Sequence, residues 1–151
     1  MCGITGILNL KDSSEYKLNK NHIIEMTKVL SHRGPDNFDV WCEDNVFLGH
    51  TRLSILDLTS KGHQPMISKS NRYVITFNGE IYNFKELKSK LNSQHDIKWK
   101  GNSDTEVFLE CIEAWGVDTT LKMSRGMFAF GIWDRVKKAL ILARDRVGEK
   151  P

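Results

Sequence analysis

GMFAFGIWD (126–134) and KALILARD (138–145), flanking the turn-like DRVKK, decide the fold class. Both runs are apolar, rich in aromatic or branched residues, and separated by a short polar break, which predicts two antiparallel strands in a hairpin. Working outward, DVWC (39–42) and VFLGHTRLSIL (46–56) read as two more strands joined at EDN (43–45). ITGILNL, from Ile4 to Leu10, reads as a short buried strand. YVITFNGEIYNF (73–84) alternates like a strand until Asn78-Gly79, a dipeptide whose backbone preferences suit a type I′ hairpin turn. HIIEMTKVL (22–30) sets Ile23, Met26, Val29 and Leu30 at helical spacing before the breaker SHRGPD. FKELKSKL (84–91) is a short amphipathic helix, whereas KDSSEYKLNKN (11–21) and LTSKGHQP (58–65) read as polar loops. SDTEVFLECIEAWG (103–116) carries its own punctuation: Ser103 as cap, Glu106 completing a capping box, and Gly116 just past the end. Its face of Val107, Cys111, Ala114 and Trp115 makes Cys111 a core residue. Hairpins mixed with amphipathic helices indicate α+β rather than a doubly wound parallel sheet.

The 151 residues suit one domain with a sizeable core. A net charge of +3 with mixed signs along the chain gives no basic surface of the kind nucleic acid requires. No apolar run reaches membrane-span length, and the N-terminus lacks a charged n-region, so neither a membrane nor a signal peptide is expected. Three widely spaced cysteines, with no CxxC pair, suggest neither a disulfide framework nor a zinc site; a reducing cytoplasm fits. The histidines show no HxxxH or HExxH spacing, so His32, His50 and His63 read as hydrogen-bonding residues. No phosphate-binding glycine motif is present. The ending RDRVGEKP carries no terminal element, which suggests a piece of a longer protein.

Several residues read two ways. Cys2 is either a small buried hydrophobe or, once Met1 is cleaved, a nucleophile whose own α-amine serves as base. That amine's reference pKa, about 7.7–8.0, suits it to take the thiol proton. Asn78 and Gly79 are either a turn or a pair of donors facing a tetrahedral intermediate. Arg52, in the apolar GHTRLSIL, is either one side of a structural ion pair or a fork for a substrate carboxylate. Asp104 is either a carboxylate in a first helical turn or the partner of a substrate ammonium, a task Glu80 could share.

MCGITGI, SHRGPD, GHTRLSILDL, GHQP, FNGEIYN, SDTEV, RGMFAFGIWD and ARDRVGEKP occur in an order that resembles class II glutamine amidotransferase domains. The resemblance runs from Cys2 to Pro151 and is closest to the N-terminal glutaminase domain of glutamine-hydrolysing asparagine synthetases. TRLSI followed by GHQP looks like that branch. The resemblance implies an N-terminal-nucleophile (Ntn) hydrolase fold, a four-layer αββα sandwich of antiparallel sheets, over residues 2–151 and incomplete at the C-terminus. It implies that Cys2 attacks the glutamine side-chain amide, that Asn78 and Gly79 form the oxyanion hole, and that Arg52 holds the α-carboxylate. Leu53, Ser54, Ile55 and Leu56 would help from the backbone, and Glu80 and Asp104 would contact the α-amino group.

The resemblance further implies that ammonia passes to a C-terminal synthetase domain, which uses ATP and magnesium to make asparagine from aspartate. The SGGxDS-type loop of that domain is absent, so this chain needs no cofactor and cannot make asparagine alone. Expected partners are L-glutamine, the synthetase domain and a second copy in a homodimer. Two other readings stand beside it. One is an inactive fragment or interaction module of the same fold; the other is the amidotransferase half of an enzyme with a non-aspartate acceptor. Val147 replaces the aromatic residue usual in the family.

Overall fold

In the computed structural model, which describes residues 1–9, 16–55 and 57–151, the chain forms strand β1 (Gly3–Leu8), helix α1 (Tyr16–Val29), β2 (Asn37–Glu43), β3 (Val46–Arg52) and β4 (Met66–Ile67). These are followed by β5 (Tyr73–Ile81), α2 (Phe84–Gln94), α3 (Asp104–Trp115), α4 (Val117–Met123), β6 (Gly126–Asp134) and β7 (Ala139–Arg144). The strands make a three-stranded sheet, β1-β3-β2, and a four-stranded sheet, β4-β5-β6-β7, with every neighbouring pair antiparallel. Helix α1 packs on the outer face of the first sheet, and α3 with α2 covers the second, while the inner faces of the sheets meet. The result is the four-layer αββα sandwich.

Strand alternation explains the layering. On β5, Tyr73, Ile75, Phe77 and Ile81 point outward and join Phe128, Phe130 and Ile132 of β6 beneath α3. The rings of Phe77, Phe108, Phe128 and Phe130 meet with centroids 5.4 to 6.2 Å apart. Each ring so buried contributes roughly 1.5–3 kcal/mol of transfer free energy. The residues between them on β5 face the first sheet: Val74 packs with Val46, Leu48 and Trp133, and the Thr76 hydroxyl donates to the Gly49 carbonyl at 3.0 Å.

Two of the three hairpins expected from the sequence form, turning through Asp44 (φ 49°) in EDN and Lys138 (φ 50°) in DRVKK. The Ser103 cap forms too, its hydroxyl accepting from Glu106 N at 3.1 Å. Glu106 does not close a capping box; its carboxylate accepts from Lys100 N (2.7 Å) and Gly101 N (2.9 Å), organising the loop ahead of the helix. Cys111 is fully buried, as expected, and burial pushes its thiol up to about 12, but Ala114 is exposed.

Four further expectations are corrected. Asn78-Gly79 is not a turn: β5 runs straight through it, pairing Asn78 with Ala129 and Gly79 with Phe128. A Cβ at residue 79 would lie 2.3 Å from the Met127 carbonyl oxygen, so close strand approach requires this glycine. The segment 16–21 of the polar KDSSEYKLNKN is helical; residues 11–15 and Leu10 lie outside the described residues. Among the described side chains of α1 the buried ones are Asn19, Ile23 and Thr27, while Met26 and Val29 are exposed. The helix sits close to the sheet at Gly49, where a Cβ would meet the Thr27 hydroxyl at 2.1 Å. Finally, β3 stops at Arg52, and Leu53–Ile55 leave the sheet.

Candidate active site

The register of the first sheet brings the two ends of its chain together. Gly3 opposes Thr51, so the next pair outward sets Cys2 opposite Arg52 at the open end of the sandwich. Gly3 N donates to the Thr51 hydroxyl (3.0 Å), and Arg33 Nε donates to the Cys2 carbonyl (3.1 Å), fixing this end of β1. The Cys2 thiol lies beside the Leu53 backbone: Leu53 N donates to Sγ at 3.4 Å and the thiol faces the Leu53 carbonyl at 3.7 Å.

Cys2 and Arg52 line one cavity of about 120 Å³, together with Asn78, Gly79, Glu80 and Asp104 from the second sheet and α3. Leu53, Ser54 and Ile55 line it as well. Ser54 N is already taken by the Asp36 carboxylate at 2.7 Å, and Ile55 is largely exposed. Leu56 lies outside the described residues.

Arg52 is buried, and its Nη1 donates to the Thr59 carbonyl (2.8 Å) and its Nη2 to the Asp57 carbonyl. The ion pairs among the described residues involve Lys28, Arg72, Arg135 and Lys138, never Arg52. The structural ion-pair reading of Arg52 therefore finds no carboxylate partner. Its charge is oriented by backbone carbonyls and left open to an anion, in the bidentate geometry a guanidinium offers. The nearby Asp57 carboxylate accepts from Asn102 N, Thr59 Oγ1 and Thr59 N. These bonds, with the Arg52 charge, hold it down at about 2.

The opposite end is anionic. Asp104, buried at the first turn of α3, accepts from Ile81 N (2.8 Å) and Thr105 N (2.9 Å), so it does serve the helix and strand as well. Burial lifts its carboxyl above the usual carboxylate range against those two donors, and the charge of Glu80 adds to the rise. Neither carboxylate has a cation partner among the described residues. Between the two ends lies Asn78, 5% exposed, whose side-chain amide has no hydrogen bond among the described residues. Its amide atoms open onto the cavity, where a polar group that enters can meet them.

Several lining residues had no role in the sequence reading, although GHQP, ILDL and ARDRVGEKP were all conspicuous. Gln64 accepts from Phe77 N at 2.6 Å, and Lys150, buried, donates to the Met1 thioether at 3.2 Å. Lys150 is delivered by a loop wrapped on Asp145, whose carboxylate accepts from Phe128, Val147, Glu149 and Lys150 backbone amides and is held at about 2. His50 lies beneath the cavity floor; burial, reinforced by the charges of Arg52 and His63, lowers it to about 4 against the Phe77 carbonyl, which its Nε2–H meets at 3.1 Å. Cys42 stands apart on β2, and all three cysteines are free thiols. No helix among the described residues is long and apolar enough to cross a membrane.

The fold has a solved counterpart in the glutamine phosphoribosylpyrophosphate (PRPP) amidotransferase from B. subtilis complexed with ADP and GMP. The match has a TM-score of 0.69 at 20% identity and covers 96% of this chain and 37% of that one. The sandwich is thus of the Ntn type. Among curated proteins, asparagine synthetase [glutamine-hydrolyzing] 3 of Bacillus subtilis is 40% identical over 153 residues, and asparagine synthetase [glutamine-hydrolyzing] 2 of Oryza sativa is 42% identical over 151. Each match takes in 100% of this chain but 24% of the relative, so the chain spans about a quarter of their length. The family model described as "Glutamine amidotransferase domain" matches residues 1–151. From first residue to last, the chain belongs to the glutamine amidotransferase family.

Proposed function

We propose that the chain hydrolyses the side-chain amide of L-glutamine through a thioester on Cys2. The observation that carries this reading is the polarity of one cavity. A guanidinium without an ion pair stands at one end, two carboxylates without a cation at the other, and a thiol at residue 2 lines the same space. A zwitterionic α-amino acid complements both ends at once, its carboxylate on Arg52 and its ammonium on Glu80 and Asp104. Its side chain is then free to reach the thiol.

Removal of Met1 turns the Cys2 amide into an α-amine. That amine takes the Sγ proton, and the sulfur attacks the amide carbon. The oxygen that becomes negative is met by the Asn78 side-chain amide and the Gly79 N–H. Donors of this kind are worth roughly 10²–10³ in rate. The C–N bond then breaks, ammonia leaves with the proton returned by the α-amine, and water cleaves the thioester to give glutamate. Residues 2–151 supply the nucleophile, the base and the oxyanion donors, and no cofactor enters these steps.

The ammonia serves ATP- and magnesium-dependent asparagine synthesis from aspartate in a C-terminal synthetase domain, in a cytoplasmic, homodimeric protein. The names of the relatives support asparagine synthesis as the destination of the ammonia, and their greater length supports a further domain. The test is to follow glutamate and ammonia released from glutamine by the protein lacking Met1. Equal release of both products, absent from Cys2→Ala, is expected; equal release by the variant would refute the thioester.

A further inference from the structure

Beyond Ile75, the edge of β5 away from β6 has no strand partner among the described residues, because β4 pairs only with Val74 and Ile75. Alternate N–H groups on this edge are instead met by side chains. Phe77 N donates to Gln64 Oε1 at 2.6 Å, and Ile81 N donates to Asp104 Oδ2 at 2.8 Å. Gly79 N–H lies between them with the same orientation, since successive N–H groups alternate in direction along a strand. On the other side of β5, Gly79 opposes Phe128, whose own N–H and C=O are both engaged with Asp145. The Gly79 N–H is therefore left over, facing the cavity.

The carbonyl of Phe77 is held as well, by the Nε2–H of the buried His50 at 3.1 Å. The peptide that carries this carbonyl is the one that begins Asn78. Gln64 and His50 thus pin the two peptide planes that lead into Asn78-Gly79. A strand N–H needs an acceptor, so the Gln64 amide is oriented with its oxygen on Phe77 and its NH₂ away from it.

We propose that Gln64, with His50, is a positioning residue: it replaces the missing strand on the β5 edge and thereby fixes the Asn78-Gly79 donors against the reacting carbonyl. The inference rests on the proposed glutaminase reading. Misplacement of a reacting group by about 1 Å costs up to roughly 10²-fold in rate. Gln64→Leu keeps the volume and removes the acceptor; Gln64→Glu restores an acceptor for Phe77 N while removing the NH₂ donor.

The experiment is steady-state glutaminase kinetics on the full-length protein lacking Met1, with thermal melts alongside. Gln64→Leu is expected to lower kcat roughly 10- to 100-fold with KM for glutamine within about threefold. Gln64→Glu is expected to recover most of kcat, and His50→Gln, which keeps a donor near the Nε2 position, to lose less than His50→Leu. A Gln64→Leu protein with unchanged kcat, with a rise in KM alone, or with no rescue by Glu overturns the positioning role while the glutaminase reading stands. Absence of turnover in the unsubstituted protein overturns both.

Discussion

The gap between the two sheets has two halves built from the same strands. Toward one end, Val46 and Leu48 of β3 meet Val74 of β5 and Trp133 of β6, and the space is filled. Toward the other, beyond Thr76, the inward-facing positions of the same strands are His50 and Arg52 on β3 and Asn78 and Glu80 on β5, and the space opens as a cavity. The change of side-chain type along β3 and β5 turns a core into a site. In the filled half apolar side chains pack on one another; in the open half Arg52 has no ion pair, Glu80 and Asp104 have no cation partner, and the Asn78 side-chain amide has no hydrogen bond among the described residues. Such unmet polar capacity is paid for in stability and recovered when a complementary ligand binds.

The comparison breaks most sharply at Asn78. Replacing it with Leu, which extends the apolar half into the cavity, is expected to lower kcat for glutamine roughly 10²–10³-fold without loss of thermal stability. Leu48→Ala, in the filled half, should do the opposite. Denaturant unfolding is expected to show a loss of about 3 kcal/mol, with kcat of the folded fraction unchanged. Arg52→Ala is expected to raise KM for glutamine by tens of fold, more than it alters the melting temperature, because its charge is held by carbonyls rather than by an ion pair. A large destabilisation with little change in KM would return Arg52 to the structural role.

The smallest expected effect is on pH dependence. The Asp104 carboxyl sits above the ordinary range, so it gains a proton earlier than an exposed carboxylate as pH falls. Protonation removes one of two charges that face the substrate ammonium, so as pH falls KM should begin to rise at a higher pH than the titration of an exposed carboxylate would give. Asp104→Asn should start with the higher KM and lose that part of the pH dependence.

Much of this contrast was legible in the sequence. The hairpins at EDN and DRVKK follow from alternation and turn residues, and α3 from its Ser103 cap. Asn78-Gly79 misled because a glycine needed for strand contact with Met127 is written the same way as one needed for a turn. The start of α1 was hidden because that helix buries Asn19 and Thr27 beside Ile23, so its inner face is largely polar. Arg52, Asn78 and Asp104 were found through the motifs around them. His50 was read as a hydrogen-bonding residue, and it is one; its place by the site, like Gln64 and Lys150, was not legible, because what singles them out is which backbone or side-chain group each meets across the fold.

The most direct test of the central claim is the intact mass of the protein after incubation with a glutamine-like electrophile. The account predicts a chain that has lost Met1 and carries one adduct at Cys2, with labelling slowed by excess glutamine and abolished in Cys2→Ala. A chain that keeps Met1, or one labelled equally well after Cys2→Ala, would contradict it.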